Sequence, residues 1–265
     1  MAFVRAMMIG DVVGDPGLAA LEGLLPGLIQ EYAADVVVVN GENAADGFGL
    51  TETTLARILG AGADVVTSGN HVWEKREFWP VLEGERRVLR PANYPQGTPG
   101  QGWVKFEKAG MPWLVVNLQG RELMTPLDCP FRTFDGIPGA LDQEIILVDF
   151  HAESTREKEA LAYYLDGRVS LLAGTHTHVQ TADERVLPQG TGYITDLGMT
   201  GVLDGIIGMD SRICLDRARN QVLYRMECAQ GPGTLQGIVV KIDAATGKTG
   251  WIQRITTREA GAASA

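Results

Sequence analysis

Two histidines that follow an apolar run constrain this chain more than any other feature of its sequence. Residues 169–178 read V-S-L-L-A-G-T-H-T-H, so the run passes through Gly174 into His176 and His178. An apolar run bounded by glycine is typical of a buried strand. The carboxyl end of such a strand is where open α/β sheets hold ligands. Residues two apart in extended backbone share a face, so both imidazoles can face one cavity. Two hydrogen-bonded surface histidines would give the same pattern.

Four other predicted strands also end in residues that can bind metals. These residues are Asp11, the pair Glu42 and Asn43, the pair Asn70 and His71, and His151. Each has a simpler explanation, because Asp and Asn are good turn formers and a histidine at a strand end can bond to backbone. All four histidines of the chain nevertheless lie at strand ends. The pattern therefore favours a shared metal site over independent turns.

The alternation of strands and helices predicts an α/β protein. Predicted strands at 3–9, 35–40 and 64–68 alternate with helices at 16 to the low 30s and 51–62, which indicates a mostly parallel, helix-covered sheet. Further predictions are a helix near 75–82, a hairpin of 103–107 and 113–119, a strand at 144–150, a helix at 154–166, and loops at 90–102 and 121–139. Short strands at 185–187, 191–195, 221–226, 235–242 and 251–255 are expected to form a second, more antiparallel sheet. We expect one domain over 1–257 and a flexible tail over 258–265.

Composition narrows the classes of partner. The chain has 265 residues, 45% of them hydrophobic, which suffices for a full core. The formal charge of −10 argues against a broad nucleic-acid surface. Three cysteines with no C-x-x-C pair are typical of reduced thiols. The apolar run at 3–9 is too short for a signal or membrane segment. We therefore expect a soluble cytoplasmic protein that binds no membrane and can form a homo-oligomer.

The candidate ligands favour two metal ions over one. Carboxylates, carboxamides and imidazoles without thiolates suit Mn²⁺, Fe or catalytic Zn²⁺. Seven or eight ligands exceed the roughly four of a structural Zn²⁺ site. Two ions about 3.5–4 Å apart that share a carboxylate fit the number, as in hydrolytic dinuclear sites.

The same residues resemble the calcineurin-like metallophosphoesterases. The pattern of that family is D-x-H, G-D-x-x-D or a variant, G-N-H, a lone histidine, and G-H-x-H. Within it the chain is most similar to the bacterial YmdB-type phosphodiesterases, with which it shares G-D-V-x-G, N-G-E-N-A, G-N-H-x-W and R-P-A-N-Y-P. The resemblance covers nearly the whole chain, and it implies a four-layer α/β/β/α sandwich.

The resemblance also implies roles for individual residues. One ion would be held by Asp11, Glu42, Asn43 and His178, and the other by Glu42, Asn70, His151 and His176. His71 would be the general acid. The chain departs from the superfamily pattern at Val13, which replaces the D-x-H histidine, so an amide of Asn43 replaces an imidazole and tilts the preference towards Mn or Fe over Zn. Val72 stands where many relatives carry an acidic residue, which leaves the partner of His71 open. Arg90, Arg121 and Arg132 are candidates for phosphate contact or ordinary surface residues.

The implied reaction is hydrolysis of cyclic nucleotides, either 2′,3′ or 3′,5′, through in-line attack by a hydroxide that bridges the metals. The residues by themselves reach only phosphoester hydrolysis. A slow or non-catalytic nucleotide-binding regulator on the same scaffold is the first alternative. An amidohydrolase-type barrel is the second, although its His-x-His pair typically closes the first strand of the chain.

Overall fold

The computed structural model describes residues 3–138 and 145–259. Its strands are β1 (Phe3–Ile9), β2 (Asp11–Val12), β3 (Val36–Asn40), β4 (Val65–Thr67), β5 (Trp103–Lys108), β6 (Met111–Gln119), β7 (Ile145–His151), β8 (Leu171–Thr175), β9 (Arg185–Val186), β10 (Gly192–Ile194), β11 (Met199–Thr200), β12 (Thr234–Asp243) and β13 (Thr249–Arg258). Its α-helices are α1 (Gly14–Tyr32), α2 (Glu52–Gly60), α3 (Trp79–Gly84), α4 (Pro130–Asp135), α5 (Thr155–Leu165) and α6 (Ser211–Asn220), with a 3₁₀ turn at Arg76–Phe78 before α3.

Two sheets pack face to face between outer layers of helices. The first sheet has the order β13-β12-β1-β3-β4, and the second has the order β5-β6-β7-β8-β10-β9. Alternate residues of β1, such as Ala6 and Met8, pack against the second sheet, while Met7 and Ile9 pack against α1 and α2. Helices α4 and α5 cover the outer face of the second sheet. This α/β/β/α arrangement confirms the predicted fold class and rules out the barrel.

Most helix and strand positions predicted from the sequence are confirmed. The α2 helix begins after Thr51, whose side chain accepts from the Thr54 amide at 3.2 Å. The α5 helix begins after Ser154, whose hydroxyl accepts from the Glu157 amide at 3.2 Å. These are the N-caps expected for Ser and Thr before a helical run. The α1 helix runs through Pro26 without ending there.

The C-terminal third differs from the prediction. Its strands do not form a sheet of their own, because β12 and β13 join β1 in the first sheet while β9 and β10 join β8 in the second. Antiparallel pairs therefore occur in both sheets, and the second sheet is mostly parallel. The strand predicted at 221–226 is wrong, since these residues are mostly exposed and have no strand partner. Two short helices were missed, α4 within the predicted loop at 121–139 and α6.

Several expectations concern the chain ends and the surroundings of the protein. The last strand extends to Arg258, and the Gly233 amide donates to Glu259 Oε2, so the boundary drawn at 257 falls inside β13. The rest of the predicted tail, 260–265, and Glu144 of the predicted strand at 144–150 lie outside the described residues. Cys129, Cys214 and Cys228 are free thiols. In the described ranges, no helix combines the length and apolar character needed to cross a membrane.

Parallel pairing brings the polar strand ends together. In the first sheet β1 pairs parallel with β3, and β3 with β4, so residues 11, 42–43 and 70–71 follow neighbouring strands. In the second sheet β7 pairs parallel with β8, with His151 opposite Thr175. The carboxyl ends of both sheets meet at the same edge of the sandwich, where the Asp11 carboxylate accepts from the His176 amide at 2.9 Å.

Candidate metal centre

A buried carboxylate and two imidazoles form the middle of the predicted site. Glu42 Oε1 lies 3.0 Å from His151 Nε2, and His151 Nε2 lies 3.0 Å from His176 Nδ1. Potential ligand atoms of these three residues all lie within 4.8 Å of one another. Glu42 and His151 are 1% and 0% exposed, so water does not screen their charges. The structure thus assembles a group with the composition of a metal site.

Asp11 and His178 extend this group on the side of the first sheet. His178 Nε2 lies 3.6 Å from Asp11 Oδ2, and both side chains are buried. Asp11 follows β1 and is fixed by its amide, which donates to Gly198 O at 3.2 Å. Both histidines of the pair have positive φ, 104° for His176 and 63° for His178. Such backbone is unfavourable in residues other than glycine, so the surrounding contacts must hold the two histidines in it.

Each of the three clustered histidines has a partner on its outer ring nitrogen. His151 Nδ1 lies 2.9 Å from Thr175 Oγ1, His176 Nε2 lies 3.2 Å from Glu153 Oε2, and His178 Nδ1 lies 2.9 Å from Ile207 O. For His176 and His178, the carboxylate and carbonyl partners require an N–H donor on the outer nitrogen, which leaves the inner nitrogen of the neutral ring as an acceptor. The same arrangement orients metal-binding histidines through their outer nitrogen.

The Thr175 hydroxyl connects His151 to a buried carboxylate. It donates to Asp149 Oδ1 at 2.7 Å, so its own oxygen is the acceptor for His151 Nδ1–H. Asp149 Oδ2 also accepts from Thr67 at 2.5 Å and from the Asn40 amide at 3.0 Å. These bonds hold Asp149 despite its full burial, which raises the pKa of its carboxyl group. The network therefore directs the His151 ring into the cluster.

Two oxygens at the centre have no hydrogen-bond donor among the described residues. They are Asp11 Oδ1 and Asn43 Oδ1, both buried. The Asn43 amide nitrogen donates to Gly47 O at 2.8 Å, which identifies the remaining atom as the acceptor oxygen. Asn70 Oδ1 lies 3.1 Å from His151 Nε2, so it also faces the cluster. Buried acceptors without donors are unfavourable by about 1–3 kcal/mol each. A bound cation would satisfy them, so the donor set fits a metal site.

The charges of this cluster shift the pKa values of its members. Burial opposes ionisation of His151, but the Glu42 and Asp11 carboxylates outweigh it and raise the pKa of His151 to about 9. Burial raises the pKa of Asp11 well above its usual range. Burial and the neighbouring His151 charge lower the pKa of His176 to about 3. A proton on His151 thus balances the Glu42 carboxylate in the metal-free protein.

His71 lies beside this cluster. Its amide donates to Glu42 Oε2 at 3.1 Å, while its Nδ1 lies 3.4 Å from Glu74 Oε1 and its ring meets Phe48 edge to face at 5.0 Å. Glu74 is therefore the partner of His71 that the sequence left open. It lies three residues after His71, whereas many relatives carry an acidic residue directly after this histidine. The i, i+3 spacing of these residues was the signal available.

Other functional neighbours were not predicted from the sequence. Glu153, Thr175, Asp149 and Ile207 contact the candidate ligands or the groups that hold them, and Ile207 is remote in the chain from every candidate ligand. Of the three candidate arginines, Arg121 Nε lies 3.8 Å from Glu157 Oε1. Arg90 and Arg132 line a separate cavity that no candidate ligand lines.

A buried ion pair supports the segment that carries the histidine pair. Lys158 Nζ donates to Asp196 Oδ2 at 2.8 Å, and these side chains are 0% and 1% exposed. Asp196 Oδ2 also accepts from the Thr177 amide at 3.1 Å, and its Oδ1 accepts from the Gly198 amide at 2.9 Å. The backbone between His176 and His178 is therefore held by a carboxylate from the β10–β11 connection.

The four-layer sandwich, with these side chains gathered at its strand ends, is of the metallophosphoesterase type. A crystal structure of a novel phosphatase from Mycoplasma pneumoniae has this fold, with a TM-score of 0.93 at 31% identity over 98% of this chain and 95% of that one. A hypothetical protein from Thermus thermophilus matches with a TM-score of 0.92 at 42% identity over 97% of this chain and 100% of that one. This protein therefore belongs to the class of phosphoester hydrolases.

Within that class the chain belongs to the family of YmdB-like proteins, whose model matches residues 7–255. It is 46% identical to a 2′,3′-cyclic-nucleotide 2′-phosphodiesterase of Bacillus subtilis, over 95% of this chain and 96% of that relative. It is 32% identical to a putative phosphatase/phosphodiesterase of Mycoplasma pneumoniae, over 94% of this chain and 91% of that relative. The expected family and the expected type of enzyme are thus confirmed.

Proposed function

We propose that this phosphoester hydrolase is a phosphodiesterase with two metal ions that acts on cyclic nucleotides. The first ion is assigned to Asp11, Glu42, Asn43 and His178, and the second to Glu42, Asn70, His151 and His176. The observation that carries this proposal is the inward orientation of three histidine nitrogens beside two buried oxygens without donors. Glu42 is the candidate bridge because its two oxygens contact different parts of the cluster.

The ligand set favours Mn or Fe over Zn. Val13 occupies the position of the missing histidine and is buried in the small apolar cluster with Met199 and Met209. Asn43 supplies a carboxamide oxygen in its place, which is a harder ligand than an imidazole nitrogen. When bound, the two ions would activate water and neutralise the charge that builds on the phosphoryl oxygens.

The residues of the chain contribute proton transfer and orientation. We assign His71 as general acid because it lies beside the cluster and donates only its backbone amide to Glu42. Glu74 holds its Nδ1, which leaves Nε2 to give a proton to the departing sugar oxygen. Phe48 restricts the ring by its edge contact.

The substrate is proposed to be a 2′,3′-cyclic nucleotide, which is the substrate class in the name of the Bacillus subtilis relative. Water would add to phosphorus while the bond to the 2′-oxygen breaks. The 2′-oxygen takes a proton from His71, and the product is a nucleoside 3′-monophosphate. A 3′,5′-cyclic nucleotide is the second substrate to compare.

The test combines metal analysis with a substrate panel. Purified protein should contain about two equivalents of Mn or Fe and convert a 2′,3′-cyclic nucleotide to the 3′-monophosphate. Asp11→Asn should lose metal and activity. Asp15→Asn is the matched control, because that carboxylate is 84% exposed and pairs with Arg57. Nucleotide binding without product formation would refute the enzyme assignment in favour of a regulator. A single equivalent of metal in the active protein would refute the dinuclear assignment.

A further inference from the structure

A cavity of about 410 Å³ lies where the loop at 90–102 meets the start of β5 and helix α4. Its walls include Arg90, Gln101, Trp103, Arg132 and Thr133. None of the candidate metal ligands lines it. Its volume falls within the range of small-molecule sites.

Arg90 is a buried cation without a counter-ion in this cavity. Its residue is only 9% exposed, and its Nη1 donates to Pro91 O at 2.8 Å and to Ala92 O at 3.4 Å. Its Nε is buried and has no acceptor. Within 3–138 and 145–259, no carboxylate lies within ion-pair distance of its guanidinium. Less buried arginines of the chain, such as Arg57 and Arg168, do pair with carboxylates.

The other polar groups of the cavity are mainly donors. Three of these donors have no hydrogen-bond acceptor in the described part of the chain: the Arg132 guanidinium, the Thr133 hydroxyl and the Trp103 indole N–H. The Gln101 amide group donates outwards, to Arg86 O at 2.8 Å. No acidic residue is among the described walls, although the chain carries a net charge of −10. Two guanidinium groups without a carboxylate favour an anion here.

We propose that this cavity is a binding site for a phosphate monoester dianion, separate from the metal centre. The two charges of the dianion match those of Arg90 and Arg132, and its terminal oxygens match the remaining donors of the Arg90 guanidinium together with Thr133 and Trp103. The indole of Trp103 offers an apolar face to the organic part of the ligand. A carboxylate, with one charge and two oxygens, uses fewer of these donors.

The test follows the indole N–H resonance of Trp103, a residue that lines this cavity. Trp103→Phe assigns the resonance by its disappearance. Inorganic phosphate and glycerol phosphate are titrated into the full-length protein as purified, at constant ionic strength, and acetate is the comparison anion. Saturable shifts with both phosphates, and at least roughly tenfold weaker binding of acetate, are expected. An unmoved Trp103 resonance overturns the site, and equal affinity for acetate overturns the assignment to phosphate.

The contribution of the arginines is tested in the same titration. Arg132→Gln removes an exposed cation, so folding is preserved, and it should weaken phosphate binding by about 10- to 100-fold, as for loss of a charge-assisted hydrogen bond. Arg86→Gln removes the same charge from an exposed position outside the cavity and should change the affinity less than about twofold. Equal weakening by both variants would mean that net charge alone attracts phosphate, and it would overturn the site.

Discussion

Replacement of Lys158 by methionine should destabilise the protein, because the buried Asp196 carboxylate loses its positively charged partner. Lys158→Met keeps the length and most of the volume of a side chain that is 0% exposed. Asp196 would then be a buried anion without its cation. Loss of one partner of a buried ion pair typically destabilises a protein by about 3–5 kcal/mol.

The contacts of Asp196 place the expected loss near the lower end of that range. Its two oxygens keep the Thr177 and Gly198 amides as donors, at 3.1 and 2.9 Å, and backbone donors stabilise an anion. A loss of about 3 kcal/mol corresponds to a decrease in Tm of about 6–12 °C in a chain of this size. The double variant Lys158→Met/Asp196→Asn removes both charges and should recover about 2 kcal/mol of the loss.

Urea unfolding followed by circular dichroism would measure these free energies, and the four proteins complete a double-mutant cycle. Arg156→Met is the matched control on the same helix, because Arg156 pairs with Glu122 at the surface and is 84% exposed. It should leave the unfolding midpoint unchanged. A coupling energy below about 0.5 kcal/mol between positions 158 and 196 would refute the reasoning. If Asp196 also positions the histidine pair, Asp196→Asn should lose metal to a chelator faster at temperatures where it remains folded.

Four further predictions concern the metal centre. Glu42→Ala should abolish activity and lower the content of both metals, measured by metal analysis, and two full equivalents in that variant would exclude the bridge. Asn43→Ala should weaken one metal without unfolding the protein, and unchanged affinity in a chelator competition would remove Asn43 from the ligand set. His71→Gln should keep metal and fold but lower turnover of a cyclic nucleotide by about 10²–10⁴-fold. The loss should be far smaller for a p-nitrophenyl ester, whose leaving group needs no proton, so equal damage to both substrates would exclude His71 as the acid. The affinity of the metal-free protein for metal should rise with pH, by up to about tenfold per pH unit, because the metal must displace the proton from His151. The increase should level off above the His151 pKa of about 9. Calorimetry in two buffers would count the proton that is released.

The candidate ligands could be predicted from sequence because each lies at the end of a strand or within three residues after it. A strand of apolar residues that ends in a polar one fixes where the polar side chain lies, since parallel strands place their carboxyl ends at one edge of a sheet. Asp11, His151 and the pair at 176–178 were recognisable for this reason. The sheet to which each late strand belongs could not be predicted from the sequence. The hydrophobic periodicity of β12 would be the same beside β1 as beside any other strand.

Residues that orient the ligands could not be predicted in the same way. Asp149 lies two residues before His151 but acts through Thr175, which belongs to another strand. The Ile207 carbonyl that holds His178 comes from an irregular segment with no motif. Lys158 has the pattern of an ordinary charged residue on a helix, and only the fold shows that it is buried. Such contacts depend on tertiary packing, which leaves no local periodicity in the sequence.

The pairing of β1 with β12 has a consequence for how the protein is made. Ile9 lies opposite Gly237, so β1 meets its antiparallel neighbour only after roughly 230 more residues have been synthesised, which takes about 10–45 s at usual rates of translation. Until then one edge of β1 has unpaired N–H and C=O groups that invite aggregation. The Asp11 amide donates to Gly198 O and the Gly10 amide to Gln236 O, so the geometry at residue 11 also waits for the synthesis of these later residues. A nascent chain that stops at residue 220 would contain every candidate metal ligand and His71, yet it would lack the strand that sets β1 in place. The centre is therefore expected to form only after β12 has been synthesised, and a product of translation that stops before β12 should carry no assembled hydrolase.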